Sequence, residues 1–229
     1  MDTISDPRSD SDLKYIMLKS YKEAKQTEEW TRAMIEEYDA LISNNTWELT
    51  ELPPGRKAIG SKWTFWLKEN ADGTIEQYKA RLVAKGYTQH EGLDFTETFA
   101  PVAKFTTVRT LIATAAIHGR EIIQADVSTA YLHADVETEL YMVQPQGFEQ
   151  LGTNGQHLVC RLNKSIYGLK QAGRNWNKLL DEWMTSHGLV TGSLDPCLYT
   201  YKGSSEEHVM MVIYIDDIFV SSSSPSLRE

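Results

Sequence analysis

Apolar residues recur at helical spacing in three stretches of the chain. The stretches are residues 20–42, 106–118 and 171–188. Ser20 and Glu23 have the spacing of a capping box at the start of the first stretch. Gly119 and Gly188 stand where the second and third stretches lose their periodicity, as expected at helix ends. The pattern predicts three amphipathic helices that pack along one face.

Shorter apolar segments rich in β-branched residues predict strands. Lys62–Lys68 and Tyr78–Ala84 flank the sequence Asn70-Ala71-Asp72-Gly73, which is typical of a hairpin loop. The run Ile122–Val127 predicts a buried strand. Two more strands are predicted at Glu139–Val143 and His157–Leu162. Helices and hairpins in one chain indicate an α+β fold.

The last apolar segments enclose two adjacent carboxylates. Val209–Ile213 and Ile218–Val220 flank Tyr214-Ile215-Asp216-Asp217, which predicts a β-hairpin with Asp216 and Asp217 at its tight turn. Neighbouring like charges repel, and a divalent cation is the simplest counter-charge. For the pair alone, an ordinary acidic turn is the simpler interpretation, because Asp is a common turn residue.

A third carboxylate, Asp126, ends the apolar strand that precedes small residues and an aromatic. Taken alone, Asp126 is best interpreted as a helix N-cap. Taken with Asp216 and Asp217, it completes the set of hard oxygen ligands that a two-metal phosphoryl-transfer site needs from separate strands.

Length and composition bound the class of protein. The chain has 229 residues, of which 41% are hydrophobic and 24% charged, enough to bury the core of one large domain or two lobes. No apolar run reaches the ~20 residues of a membrane helix, and residues 1–7 lack the pattern of a signal peptide. We therefore expect an intracellular protein, cytoplasmic (including a virus-like particle) or nuclear, that is neither secreted nor bound to a membrane. Cys160 and Cys197 are expected to be reduced.

The charge is unevenly distributed. The net charge is −9, which disfavours binding to phosphates, but residues 55–90 carry seven basic and three acidic side chains. A basic segment in an acidic chain is compatible with a lobe that contacts nucleic acid. A solvated basic hairpin is an equally simple explanation.

Sequence blocks in a fixed order cover nearly the whole chain. The blocks are Asn45–Leu49, Leu52–Gly55, Gly60–Trp63, Tyr78–Gln89, Glu97–Lys104, Asp126–Leu132, Tyr141–Pro145, Cys160–Leu162, Ser165–Ala172 and Tyr214–Asp217. Together they resemble the reverse transcriptase domain of copia-type (Pseudoviridae-like) long-terminal-repeat retrotransposon Pol polyproteins. The resemblance implies an α+β fold with fingers and palm, in which a ferredoxin-like antiparallel palm sheet packs against helices.

The resemblance also implies a division of the chain. Residues 1–19 are expected to be disordered, 20–105 to form an N-terminal helix and the fingers, 106–222 to form an incomplete palm, and 223–229 to form a tail. The chain is expected to be truncated before the thumb, which leaves an open sheet edge beside the carboxylate hairpin. Gly173 departs from the Pro or Ser that relatives usually carry after Lys-Gln-Ala.

The implied activity is RNA-directed DNA polymerisation, with transfer of a deoxynucleotide from dNTP to a primer 3′-hydroxyl. Asp126, Asp216 and Asp217 would be the catalytic carboxylates and, with the carbonyl of Val127, would hold two Mg²⁺ ions, for which Mn²⁺ is a substitute. The implied substrate-binding residues are Lys68, Lys79, Arg81, Tyr131, Gly168, Lys170 and Gln171. Tyr131 would abut the sugar and exclude a 2′-hydroxyl.

The implied partners are an RNA or DNA template-primer, dNTP and the remainder of a Pol polyprotein with RNase H and integrase. Two other hypotheses remain. A truncated retrotransposon relic would fold and bind nucleic acid without polymerase activity. An unrelated palm-type nucleotidyltransferase or cyclase fits the three carboxylates but not the other blocks.

Overall fold

The computed structural model describes residues 20–203 and 208–223. The elements of this part, in chain order, are α1 (Tyr21–Ala24), α2 (Glu28–Ser43), β1 (Trp47–Thr50), β2 (Ser61–Glu69), β3 (Ile75–Ala84), a 3₁₀ helix (Gly86–Thr88), α3 (Phe105–Ile117), β4 (Ile122–Asp126), α4 (Ala130–His133), β5 (Tyr141–Val143), β6 (Val159–Leu162), α5 (Ala172–Ser186), β7 (Val190–Thr191), β8 (Leu198–Lys202), β9 (His208–Tyr214) and β10 (Asp217–Ser222). The α+β class is confirmed, and every strand pair within the three sheets is antiparallel. The expectation of disorder at 1–19 lies outside the described residues, as does the tail expected at 223–229 except for residue 223.

The first predicted helix is divided into α1 and α2. The Ser20 side chain accepts a hydrogen bond from the Glu23 amide at 3.4 Å, as the capping-box spacing predicts. The prediction of one continuous helix was wrong, because Thr27 adopts an extended backbone and starts a second helix. Acidic residues occupy the first turn of α2, where the helix dipole favours them.

The predicted hairpin between residues 62 and 84 is confirmed as β2 and β3, which pair from Ser61↔Ala84 to Glu69↔Ile75. Helix α2 packs against β3. A separate three-stranded sheet has the order β1-β6-β5. One apolar cluster joins α2, β2, β3 and this sheet, so that residues from both sides of the predicted boundary at 105/106 share a core.

The second large sheet has the strand order β4-β10-β9-β8-β7. On β9, Ile213 packs with α5 residues whereas Val212 packs with Leu111 of α3. Because successive side chains of a strand point to opposite faces, α5 and α3 cover opposite faces of this sheet. The sheet is thus a layer between two helices, with the carboxylate hairpin near one edge.

Strand β4 differs from the prediction. The sequence predicts a buried strand, but all five residues of β4 are exposed, and Ile122 and Ile123 expose 38% and 40% of their surface. The reason is position, because β4 is an edge strand and its apolar side chains lie beyond the cover of α3 and α5. The expectation that the hairpin would have an open edge is also wrong, since β10 pairs with β4 and β9 pairs with β8.

Two further findings concern the class of protein. Cys160 and Cys197 are free and buried, as expected, and burial raises the pKa of the Cys160 thiol to about 12. Across the described residues, we find no helix with the length and apolar character needed to cross a bilayer.

Candidate functional site

The pairing of β4 with β10 brings the predicted carboxylates to one end of the sheet. Asp126 lies opposite Asp217 in the antiparallel register. Just beyond, the Val127 amide donates to the Asp216 carbonyl at 3.0 Å. Asp126 thus ends β4, Asp216 lies in the adjacent turn, and Asp217 is the first residue of β10.

The backbone at this end of the sheet is strained. Tyr214 pairs with Asp217, so Ile215 and Asp216 form a two-residue turn, and Ile215 has φ +61°. Thr129, three residues after Asp126, has φ +53°. Positive φ is unfavourable for β-branched residues, and such strain concentrates at functional sites. Both strained residues border the carboxylates.

A cavity of about 170 Å³ lies between this turn and the β2–β3 hairpin. Its lining residues come from α2, β3, the segment from the end of β4 to α4, the loop before α5 and the β9–β10 turn. They are Glu37, Leu41, Lys79, Arg81, Leu82, Asp126, Val127, Ser128, Thr129, Leu132, Ile166, Tyr167 and Asp216. Three acidic side chains, Glu37, Asp126 and Asp216, thus share a cavity with two cations, Lys79 and Arg81. Opposite charges around one opening suit a ligand that brings both metal ions and phosphates.

Aromatic rings hold one of these cations. The Arg81 guanidinium lies 4.1 Å from the ring centroid of Tyr167 and 5.2 Å from that of Trp66. The Lys79 ammonium is 6.0 Å from the Trp66 ring. Cation–π contacts of this kind orient a guanidinium without neutralising its charge. Arg81 therefore keeps its charge available to the cavity.

The donor chemistry of the cavity fits magnesium. Asp126 and Asp216 offer carboxylate oxygens and Val127 offers a carbonyl, which are the hard ligands that Mg²⁺ prefers. Asp217 is not among the residues that line the cavity. Its Oδ1 accepts a hydrogen bond from Gln124 Nε2 at 3.0 Å. In residues 20–203 and 208–223, no three His, Cys, Asp or Glu side chains are already placed around one metal position.

Comparison with known proteins identifies the family. A family profile described as "Reverse transcriptase (RNA-dependent DNA polymerase)" matches residues 44–228, most of the chain. The chain belongs to the reverse transcriptase family.

The relatives of this reverse transcriptase domain include several retrotransposon polyproteins. It is 42% identical over 224 residues to the Pol polyprotein of transposon TNT 1-94 from Nicotiana tabacum, an alignment that covers 98% of this chain and 16% of the relative. It is 40% identical to the polyprotein of transposon RE1 from Arabidopsis thaliana, over 90% of this chain and 14% of the relative. It is 31% identical to the transposon Ty1-ER2 Gag-Pol polyprotein of Saccharomyces cerevisiae, over 88% of this chain and 11% of the relative. The resemblance to copia-type elements is confirmed, and the chain spans a small part of these relatives.

Tyr131 lies beside the carboxylate cavity of the reverse transcriptase domain. Its ring packs edge-on against Tyr167, with centroids 4.8 Å apart. Burial, and then the nearby charge of Asp216, raise the pKa of the Tyr131 hydroxyl. The ring also lines a second, mainly apolar cavity of about 170 Å³ next to Ile213 and Ile215.

Gly168 acts through the backbone of the domain. It has φ +89°, and a Cβ there would meet the Ala84 carbonyl oxygen at 2.2 Å. The Ala84 amide donates to the Tyr167 carbonyl at 2.8 Å. Only glycine permits this approach, which fixes Tyr167 next to the end of β3.

Three predicted binding residues lie away from the carboxylate cavity. Lys68 pairs with Glu76 at 2.9 Å on the exposed far half of the hairpin. Lys170 Nζ donates to the Gln89 carbonyl at 3.2 Å. Gln171 is buried and donates to the Asp94 carbonyl. The contacts of Lys170 and Gln171 stabilise the loop before α5.

Tyr167 and Glu37 are two of the cavity residues that the sequence predictions did not include. Tyr167 belongs to a recognised block, and an aromatic before a glycine was the available signal. Glu37 lies on α2, outside the family match, and nothing in the helical pattern distinguishes it from its exposed neighbours.

Proposed function

We propose that this chain is the polymerase part of a retrotransposon Pol polyprotein and transfers deoxynucleotides from dNTP to the 3′-hydroxyl of a primer on an RNA or DNA template. The observation that carries the proposal is the shared cavity, in which Asp126 and Asp216 face Lys79 and Arg81. Family membership supports the reaction class, and the cavity supports the residues.

The proposed metal ligands are Asp126, Asp216, Asp217 and the Val127 carbonyl, which would hold two Mg²⁺ ions or Mn²⁺ in their place. When bound, such ions activate a primer hydroxyl and offset the charge of a leaving pyrophosphate. Asp217 takes part in this proposal by exchanging its hydrogen bond from Gln124 for a metal contact.

Substrate binding is assigned to the cations and aromatics of the cavity. Arg81 and Lys79 bind the triphosphate, because guanidinium and ammonium groups pair with phosphate oxygens. Tyr131 packs against the sugar, because its ring lies close to Asp216. Lys68 contacts the template backbone from the exposed hairpin. Gly168, Lys170 and Gln171 shape the loop that supports Tyr167.

The proposed subdomains follow the architecture of polymerases of this family. The β2–β3 hairpin with α2 is assigned to fingers, within residues 20–105. The five-stranded sheet between α3 and α5 is assigned to a ferredoxin-like palm, within residues 106–222. Their meeting point is the carboxylate cavity, where a template, a primer end and a dNTP would converge.

Primer extension tests the proposal. The whole chain, Asp216→Asn and Asp39→Asn are each given a primed RNA template, dNTPs and Mg²⁺. Wild type and Asp39→Asn should extend the primer, whereas Asp216→Asn should lose at least ~100-fold of the rate, as expected when a group that stabilises developing charge is removed. Asp39 is an exposed position on α2 and controls for the loss of one charge.

The result that overturns the proposal is incorporation by wild type no higher than that by Asp216→Asn. Template binding without extension, measured by anisotropy of a labelled primer-template, would favour the non-catalytic relic instead. The observation that favours this alternative is that Asp217 does not line the cavity and that its carboxylate accepts a hydrogen bond from Gln124.

A further inference from the structure

We propose that Trp176 is a positioning residue for the carboxylate turn. Its indole Nε1 donates to the Ile215 carbonyl at 2.7 Å. The inference deepens the proposed function and rests on it for the role of Asp216. The sequence pattern of α5 indicates only a core tryptophan, because Trp176 belongs to an apolar stripe.

The turn needs support from outside its own hairpin. Ile215 has φ +61°, which a β-branched residue adopts only when its surroundings enforce it. Its side chain contributes little to that enforcement, since Ile215 is 41% exposed and borders the apolar cavity. Packing is incomplete on both sides of the turn, so hydrogen bonds have to define its geometry.

Both carbonyls of the two-residue turn accept from donors on other elements. The Val127 amide, just after β4, donates to the Asp216 carbonyl at 3.0 Å. Trp176, on α5, donates to the Ile215 carbonyl. The Ile215 carbonyl belongs to the peptide group that precedes Asp216. Fixing that peptide plane fixes the backbone from which the Asp216 carboxylate projects into the cavity.

Trp176 is well placed to act as an anchor. It is 6% exposed and packs with Leu180, Met184 and Tyr199. A buried indole N–H needs an acceptor, because leaving it unpaired carries the full desolvation cost. The Ile215 carbonyl therefore satisfies Trp176 while Trp176 holds the turn, and the contact couples the metal turn to the position of α5.

The chain offers a matched control. Trp63 is 7% exposed, and its Nε1 donates to the Gln146 carbonyl at 3.0 Å. Trp63→Phe and Trp176→Phe thus remove the same kind of buried indole hydrogen bond and keep an aromatic ring. They differ in that only Trp176 contacts the turn. Both should lower the urea midpoint of unfolding, and only Trp176→Phe should alter the turn.

The experiment follows the Val127 amide by hydrogen exchange and Mn²⁺ binding by electron paramagnetic resonance in the whole chain. Trp176→Phe should raise Val127 exchange by ~10-fold, the factor expected for the net loss of one hydrogen bond. It should weaken Mn²⁺ binding by ~10-fold or more, as loss of an outer-shell partner of a metal ligand does. Trp63→Phe should leave Val127 exchange and Mn²⁺ affinity at wild-type values. In each variant, exchange of amides in the middle of β9 measures global unfolding and serves as the internal reference.

Equal effects of Trp63→Phe and Trp176→Phe, or unchanged Val127 exchange in Trp176→Phe, would overturn the inference. Asp216→Asn distinguishes failure of this inference from failure of the proposed function. If that variant binds Mn²⁺ as tightly as wild type, the metal site is refuted, whereas Val127 exchange in Trp176→Phe still decides the role of Trp176.

A further measurement uses the wild-type protein alone. Mn²⁺ should broaden the indole N–H resonance of Trp176 before that of Trp63, and the reverse order contradicts the inference.

Discussion

Glu37 shows how the environment of a single residue changes its chemistry. Its side chain accepts a hydrogen bond from the Leu82 amide at 3.1 Å and lines the cavity with Asp126 and Asp216. Burial raises the pKa of the Glu37 carboxyl, against the lowering effects of the Leu82 amide and of Arg81 and Lys79. The cavity thus includes an acid supplied by α2, which precedes the region matched by the family profile.

The raised pKa of Glu37 predicts a pH-dependent gain from Glu37→Gln. A carboxyl whose pKa is raised by folding contributes stability below its unfolded pKa, and this is lost as pH rises through the folded pKa. The glutamine keeps an acceptor for Leu82 but carries no charge. The free energy of unfolding of Glu37→Gln relative to wild type should therefore increase from pH 4 to pH 7, measured by urea unfolding.

Glu36→Gln, at the exposed neighbouring position on α2, is the matched control and should not reproduce the trend. A relative stability of Glu37→Gln that is constant or declines between pH 4 and pH 7 would contradict this interpretation of Glu37.

At the scale of elements, the close approach of β3 to the loop before α5 organises the cavity. A Cβ on Gly86 would meet the Gly168 carbonyl oxygen at 2.0 Å. A Cβ on Gly168 would meet the Ala84 carbonyl oxygen at 2.2 Å. Two glycines therefore face each other across one junction. Since Tyr167 precedes Gly168 and stacks on Arg81, the junction sets the position of the aromatic that orients the cation.

Gly168→Ala should destabilise the protein by about 2–4 kcal/mol, because it combines a positive φ with a backbone clash. Gly173→Ala is the control. Gly173 lies in the first turn of α5, and a Cβ there would meet only the Ala100 Cβ, at 3.6 Å. That variant should gain up to ~1 kcal/mol from helix propensity. Urea unfolding measures both, and a Gly168→Ala variant as stable as wild type would show that the junction tolerates a side chain.

At the scale of the whole molecule, Asp195 joins α3 to the sheet. Its buried carboxylate accepts hydrogen bonds from the Lys104 amide at 2.9 Å, the Thr107 hydroxyl and the Cys197 amide at 3.0 Å. Burial alone would raise the pKa of Asp195, but these hydrogen bonds outweigh it and hold the pKa below its ordinary value. One carboxylate thereby fixes the N-terminus of α3 against the start of β8.

Asp195→Asn should lower the free energy of unfolding by about 1.5–3 kcal/mol at pH 7, the range for hydrogen bonds to a charged group. A lowered folded pKa contributes stability above the unfolded pKa, and that contribution disappears as pH falls through the folded pKa. The difference between wild type and Asp195→Asn should therefore shrink below about pH 4, near the ordinary Asp pKa. Urea unfolding at pH 7 and pH 3 measures it.

The comparison variant is Asp135→Asn, which loses an exposed ion pair with Lys164 and should change stability by less than about 1 kcal/mol. A pH-independent loss in Asp195→Asn would show that the carboxylate acts through shape rather than charge.

Local sequence was sufficient for most elements of this molecule. Gly119 and Gly188 have positive φ after α3 and α5, where the ends of the periodicity predicted them. The apolar runs predicted the β9–β10 hairpin, although its two-residue turn is Ile215-Asp216 and Asp217 is the first residue of β10. These features depend on neighbours in the chain, so that backbone preference and side-chain period determine them.

Local sequence failed where a property depends on distant residues. It predicted a buried β4, because an apolar run carries no information about whether a strand will lie at the edge of its sheet. It predicted one helix where Thr27 starts a second. It interpreted Trp176 as core, and the hydrogen bond to Ile215 became visible only in the assembled structure.

The sequence by itself determined the family, the element types and the positions of three carboxylates, since these are carried by ordered motifs and local periodicity. Only the tertiary structure decided which groups meet. The register of β4 and β10 placed Asp126 opposite Asp217, and the packing of α2 and β3 added Glu37 and Arg81 to the cavity. The physical reason is that hydrogen bonding, burial and charge pairing depend on separation in space, which one-dimensional spacing does not specify.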